Sequence, residues 1–306
     1  MKDKVSKIVY CVIIAIALSG LINSPTALLL GFLHTLILNN PFKDYSRKAI
    51  QYLLKISVVG LGFGMFIKET LETGKEGFSL TLYSIALTLF LGYTLTRLMN
   101  LDLKLGQLIT TGTAICGGSA IAAISPVIKA NSKIISIALG VVFLLNAIAL
   151  FVFPAIGHLL SLTQEQFGLW CAIAIHDTSS VVGASLVYGD EALRIATTVK
   201  LSRALWIIPI SFTFIFLSKT KGGKIKIPYF IVLFVLAIII NSFHILPESV
   251  TNFILVSAKR LLILTLFLVG SAISVKDLKA VGIKPIILAV TLWIFISIFS
   301  LVYILN

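Results

Sequence analysis

Thr113-Ala-Ile-Cys-Gly-Gly-Ser119 and His176-Asp-Thr-Ser-Ser180 interrupt two apolar stretches that are otherwise long enough to cross a bilayer. Lipid offers no partners to backbone N–H and C=O groups. Polar, non-helical backbone at membrane depth therefore persists only where protein or a water-filled cavity covers it. A pair of such interruptions, in stretches of similar build, points to the substrate site of a transporter.

The surrounding composition agrees with that reading. Of 306 residues, 58% are hydrophobic and 12% charged, with a mean hydropathy of +1.06. A soluble domain of this length cannot hide so much apolar side chain. Apolar runs recur from residue 8 to residue 305 without the period-two alternation of a transmembrane barrel. The fold class expected is all-α: a polytopic membrane protein forming one transporter domain over residues 1–306. At roughly 20 apolar residues per crossing, segments fall near 8–22, 26–38, 50–67, 78–98, 105–128, 132–157, 167–187, 191–217, 228–244, 250–275 and 285–305. That is about 10–11 membrane segments, of which 105–128 and 167–187 are discontinuous. The first run follows a basic start but lacks an Ala-x-Ala-like cleavage site, so it reads as a retained helix.

A net charge of +13 raises nucleic-acid binding as a function. The cations argue against it, because they gather in short loops: Lys2, Lys4 and Lys7; Lys43, Arg47, Lys48 and Lys55; Lys219, Lys221, Lys224 and Lys226; Lys276, Lys279 and Lys284. This is the charge bias that orients helices in a membrane. Cys11, Cys116 and Cys171 lie in apolar context without paired spacing, which speaks against a disulfide framework or a zinc site. No cofactor is implied.

Internal similarity appears twice. Gly60-Leu-Gly-Phe-Gly-Met-Phe-Ile-Lys-Glu69 aligns with Leu268-Val-Gly-Ser-Ala-Ile-Ser-Val-Lys-Asp277, pairing Gly62 with Gly270, and Gly74 then falls on Gly282. The stretch from Gly106 also matches the stretch from Gly168 in pattern: apolar half, polar break, Ala-rich half, charged turn, long helix. A duplicated architecture is expected. Loop charges fit both broken segments crossing the membrane, as parallel copies, and both re-entering it as hairpins, as inverted copies. They lean slightly to hairpins, because Lys129 and Lys133 then become cytoplasmic.

Each break has the makings of an anion site. Gly112, Gly117 and Gly118 remove side chains and permit unusual backbone angles. Ser119 is placed to cap a half-helix beginning at Ala120, whose first amides lack intrahelical partners. Free N–H groups and the positive end of the helix dipole attract anions. Asp177, Thr178, Ser179 and Ser180 precede a second such half-helix, with hydroxyl donors added. Thr113 and Cys116 flank the first break. The competing explanation is close helix packing through small residues.

Ionisable residues at membrane depth are expensive and mark pathways. Lys200 and Arg203 are three residues apart and share a helix face; a salt bridge to Asp177 is the structural alternative. Lys259 and Arg260 sit mid-run, where snorkelling to an interface would explain them. Cations outnumber acids, which favours an anionic solute. His176 and Asp177 are placed to couple transport to H+ or Na+. Asp177 could equally serve as a helix cap. Asn146 is a weaker lining residue, and His34, His158 and His244 read as packed or interfacial. Cys116 or Ser119 with His176 and Asp177 supplies the residue types of an intramembrane hydrolase. Adjacent His and Asp point about 100° apart on a helix, however, which disfavours a relay, so no enzyme activity is expected.

Gly112-Thr-Ala-Ile-Cys-Gly-Gly-Ser-Ala-Ile-Ala-Ala-Ile-Ser-Pro-Val-Ile-Lys129 closely resembles the signature of the sulfate exporter family, conserved hypothetical proteins of the bacterial inner membrane. Phe167-Gly-Leu-Trp, Ile175-His-Asp-Thr178 and Thr198-Val-Lys-Leu-Ser-Arg203 resemble its other hallmarks, and the resemblance covers about residues 50–305. It implies a fold related to bile-acid symporter-like and cation/proton antiporter-like transporters, with inverted repeats and discontinuous helices. It also places residues 112–119, 176–180, 200 and 203 in the functional motifs. Where the family has Ala-Gln after His-Asp-Thr, this chain has Ser179-Ser180, which implies a different substrate or coordination pattern. The function expected is secondary transport of a small anion (sulfate, sulfite or an organic sulfonate) by a multi-pass inner-membrane protein. A cation/proton antiporter using Asp177 is the alternative, and association into a homo-oligomer is compatible with the sequence.

Overall fold

The computed structural model describes residues 2–218, 229–272 and 282–306. Among them the regular structure is helical, without strands. In chain order the helices are α1 (Lys2–Ser19), α2 (Ser24–Leu38), α3 (Lys43–Leu61), α4 (Ile67–Leu98), α5 (Leu103–Ala114), α6 (Gly118–Val127), α7 (Ser132–Leu159), α8 (Gln164–Ala174), α9 (Thr178–Tyr188), α10 (Asp190–Leu205), α11 (Ile207–Ser218), α12 (Tyr229–Ser242), α13 (Glu248–Ala272) and α14 (Ile283–Leu305). The basic cluster at residues 219–226, together with Lys276, Asp277 and Lys279, lies outside the described residues.

Among the described residues, five stretches are long and apolar enough to cross a membrane: Gly77–Leu98, Lys133–Leu159, Asp190–Phe214, Glu248–Ala272 and Ile283–Leu305. A sixth is obtained if Lys48–Gly64 and Ile67–Lys75, bent by 109°, count as one span. The remaining expected segments correspond to shorter or broken helices. Thr26–Leu38, Gly118–Val127, Thr178–Tyr188 and Tyr229–Ser242 are shorter apolar helices of 10–17 residues. The expected segments 50–67 and 78–98 also divide differently. A 3-10 turn at Gly62–Gly64 ends α3, and α4 then starts at Ile67 and runs 32 residues. The expected helix at 191–217 stops at Leu205 and resumes at Ile207, next to Pro209, whose ring nitrogen has no hydrogen to donate to the preceding turn.

Helices α2, α3, α12 and α13 pack through glycines. A side chain on Gly31 would strike the Phe267 carbonyl of α13, and one on Gly270 would strike the Leu28 carbonyl of α2. A side chain on Gly62 would lie 2.8 Å from the Phe234 carbonyl of α12. The two glycines aligned by sequence, Gly62 and Gly270, thus each sit against a main-chain carbonyl of a helix from the opposite end of the chain. Carboxamides close both contacts: Asn40 Nδ2 donates to the Ser271 carbonyl at 3.0 Å, and Asn241 Nδ2 to the Met65 carbonyl at 3.1 Å.

The rest of the interior surrounds the broken helices. One apolar cluster joins Leu108, Ile109, Ile121, Ile124 and Val142 to Leu288 and Leu292 of α14. A second gathers Phe167, Trp170, Ile173, Val181 and Val199.

The glycine contacts make a paired prediction. Gly270→Leu, forced against the α2 backbone, is expected to lower stability by about 1–3 kcal/mol or prevent folding. Gly74→Ala, with open space around its β-carbon, is expected to gain up to about 1 kcal/mol of helix stability. Thermal unfolding in detergent distinguishes them, and a neutral Gly270→Leu would refute the close approach.

Candidate functional site

Helix α5 ends at Ala114, and α6 begins at Gly118. Between them Gly117 adopts φ +62°, a left-handed conformation that strains residues with a side chain. Its N–H reaches back to the Gly112 carbonyl at 2.8 Å. Of the three glycines singled out, only Gly117 uses the backbone freedom. Gly112 makes room for Ile121 and Val142, and Gly118 for Phe143. Capping by Ser119 is a further correction. Gly117 occupies the cap position and offers no side-chain cap, and Ser119 is exposed one residue into the helix.

The second break is built otherwise. Helix α8 ends at Ala174, Ile175 and Asp177 are extended, and α9 starts at Thr178. The Asp177 carboxylate caps α9 by accepting the Ser179 N–H at 3.0 Å and the Ser179 hydroxyl. Asn146, on the unbroken helix α7, accepts the N–H groups of both His176 and Asp177 on one oxygen, each at 3.2 Å. Thr178, Ser179 and Ser180 are all buried.

The two breaks touch. A side chain on Gly117 would lie 3.4 Å from the backbone N, α-carbon and β-carbon of Asp177. The capped amino terminus of α9 thus lies beside the uncapped amino terminus of α6.

Helix α10 runs past both breaks with two fully buried cations. Lys200 Nζ donates to the carbonyls of Ala172 and Ile175, at 3.1 and 2.6 Å, where α8 ends. Arg203 donates Nε and Nη2 to the Ala114 carbonyl, at 2.8 and 2.6 Å, where α5 ends. Each cation therefore meets the negative end of a half-helix dipole. Neither forms a salt bridge with Asp177 among the described residues. Sequence reasoning missed this pairing, although two carbonyl-bearing ends buried in an apolar chain require donors.

Several buried polar atoms lack a hydrogen-bond partner among the described residues: Thr113 Oγ1, Asn146 Nδ2, both ring nitrogens of His176, and Arg203 Nη1. These five, of twelve such atoms among the described residues, belong to residues at the breaks or bonded to them, and the others, such as Thr81 Oγ1 and Ser211 Oγ, are scattered. Burying such groups unpaired costs about 1–3 kcal/mol each, so the five at the breaks call for an explanation. On one side the crossing is open, since Ser119 is exposed and Gly118 and Asp177 are half-buried. Cys116 is a buried free thiol.

Other residues stand apart. Lys259 pairs with Asp190 at the start of α10, and Arg260 lies against Gly20 at the end of α1. Their mid-run position thus corresponds to two helix ends rather than to the crossing. An apolar groove of about 790 Å³ along Phe295, Ile298, Phe299, Val302 and Tyr303 lies on α14, away from the breaks. No cluster of three or more metal-ligating side chains occurs among the described residues.

Helices of membrane length, kept apolar outside and polar at two breaks, define a multi-pass membrane protein. The family described as conserved hypothetical protein 698 matches residues 7–289, and the chain belongs to it. It is 51% identical over 296 residues to a UPF0324 membrane protein of Photobacterium profundum, covering 97% of this chain and 91% of that protein. Identity to a UPF0324 membrane protein of Bacteroides thetaiotaomicron is 49% over 293 residues, covering 94% and 88%. For one of Geobacter sulfurreducens it is 42% over 295 residues, covering 96% and 94%. No solved structure matches.

The caps predict a split between two buried polar substitutions. Lys200→Met strips the donors from Ala172 and Ile175 and is expected to cost about 1–3 kcal/mol. Thr197→Val, which removes an unpartnered buried hydroxyl, is expected to be neutral or stabilising. Melting temperatures of the purified variants measure both.

Proposed function

We propose that the protein is a secondary active transporter carrying a small anion through the bacterial inner membrane, with the anion held between the two breaks. Sulfate, sulfite and organic sulfonates fit the family resemblance. The Gly118 and Ser119 amides that follow Gly117, the hydroxyls of Thr113, Thr178 and Ser180 and the free Arg203 Nη1 act as ligands, with Ser179, whose hydroxyl is given to Asp177, beside them. The Cys116 thiol adjoins them. Lys200 contributes charge, and His176 or Asp177 couples the movement to H+ or Na+. No catalysis is invoked.

One observation carries the reading: unpartnered polar atoms rich in donors, enclosed where two half-helices meet. The charge balance has the same sign. Two helix amino termini and two carboxyl termini carry about half a unit charge each and cancel to first order. Lys200 and Arg203 remain against the single carboxylate of Asp177, a surplus of positive charge. That surplus disfavours the alternative in which Asp177 carries a cation against protons.

A ligand that binds the folded state raises its apparent stability. Saturable stabilisation of the detergent-purified protein by sulfate, sulfite or an organic sulfonate is expected. Thr113→Val is the informative variant, because its hydroxyl has no protein partner to lose. It is expected to keep the fold and weaken anion binding about tenfold, corresponding to about 1.4 kcal/mol. Stabilisation by sodium or lithium alone, abolished in Asp177→Asn, would replace the anion reading with the cation antiporter.

A further inference from the structure

An anion between the breaks would share the two amino termini with the carboxylate already there. Asp177 caps α9 through Ser179, and the bare Gly117 brings it against the uncapped start of α6. Both helices exceed two turns, with 10 and 11 residues. Asn146 is bound to the same segment, its Oδ1 accepting the His176 and Asp177 amides, while its buried Nδ2 has no partner among the described residues.

We propose that the Asp177 carboxylate is the resident anion of the crossing, and that substrate replaces it there only as Asp177 takes up a proton, so that anion and proton move together. This rests on the reading of the crossing as an anion site. The physical reason is simple: two anions cannot share the same few amide donors in a medium of low dielectric without strong repulsion. A carboxylate oxygen of the half-buried Asp177 takes up the proton as the anion enters and gives it up as the anion departs.

The groups that face Asp177 leave this exchange to the carboxylate. Lys200 from α10 and Cys116 from the first break are its electrostatic neighbours, and Lys200 is held by two carbonyls. From α7 comes the neutral Asn146. Helix α13 also packs on α9, but its Lys259 is engaged by Asp190 at the far end of α9. His34 of α2 is bonded to the Ser6 carbonyl. His176 is the one other proton acceptor adjacent to Asp177 and needs its own variant.

The test measures binding of sulfate and of methanesulfonate by thermal stabilisation of the full-length protein between about pH 5 and 8, where neither probe changes its charge. By linkage, uptake of one proton weakens binding about tenfold per unit of rising pH once Asp177 is ionised in the free protein. Asp177→Asn retains an equally good helix cap. It is expected to abolish the slope and, near pH 8, to bind at least tenfold tighter than the parent. His176→Gln is expected to keep the slope. In proteoliposomes, an inward proton gradient should drive sulfate accumulation by the parent and not by Asp177→Asn.

Anion binding by the parent that is flat with pH, or a slope that survives Asp177→Asn and vanishes in His176→Gln, overturns the exchange while leaving the anion site standing. A slope set by sodium instead of pH overturns the proton assignment. Absence of stabilisation by either anion, in parent and variant at every pH, overturns the anion reading itself.

Discussion

Interrupting a helix inside an apolar core exposes carbonyls that water cannot reach, and the structure depends on how those carbonyls are met. Arg203 takes the end of α5 and Lys200 the end of α8, from one face of one helix. The same solution recurs at the periphery. Lys104 donates to the Lys129 carbonyl just past α6, and Lys284 to the Met99 carbonyl just past α4. The Arg260 guanidinium fills the space beside Gly20, just past α1. Part of the large positive charge therefore neutralises helix carboxyl termini, a favourable place for cations.

The two breaks divide their tasks. At the second, Asn146 holds two successive amides and Asp177 caps the next helix, so this segment is tied to α7 and to α9. At the first, the turn is closed by one main-chain bond from Gly117 to Gly112, and the amides that follow lack a side-chain cap. One break is a clamp and the other an opening. Their contact at Gly117 and Asp177 confronts a group with spare acceptors with a helix end that has spare donors.

Much of this was legible in the residue order. The positions of the interruptions followed from Gly117-Gly118 and from Asp177-Thr178 within apolar runs, because few other patterns stop a helix there. The common face of Lys200 and Arg203 followed from helical spacing. What spacing could not tell was where that face pointed: two cations near a break are equally well placed for an anion and for a carbonyl. Ser119 misled for a related reason. A serine before an Ala-rich run is the ordinary cap, but the left-handed Gly117 starts the helix earlier and turns Ser119 outward. Apolar length alone did not separate complete crossings from half-helices and short helices, which carry a similar hydropathy. Asn146 was visible as a lone carboxamide in an apolar run, yet its role depends on a chain segment 30 residues away.

The glycine-lined contact between α2 and α13 has a consequence for how the protein is made. Asn40 and the carbonyl it bonds are separated by 231 positions. At about 5–20 residues per second, the ribosome needs roughly 10–45 s to supply that partner. Throughout that interval α2 rests in the membrane with its bare glycine face in contact with lipid or with a temporary companion. The glycine face of α2 is thus closed by nearly the last helix, and a nascent chain arrested before α13 lacks the partner for Gly31. The packing of the amino-terminal helices therefore waits on a late event, the docking of α13.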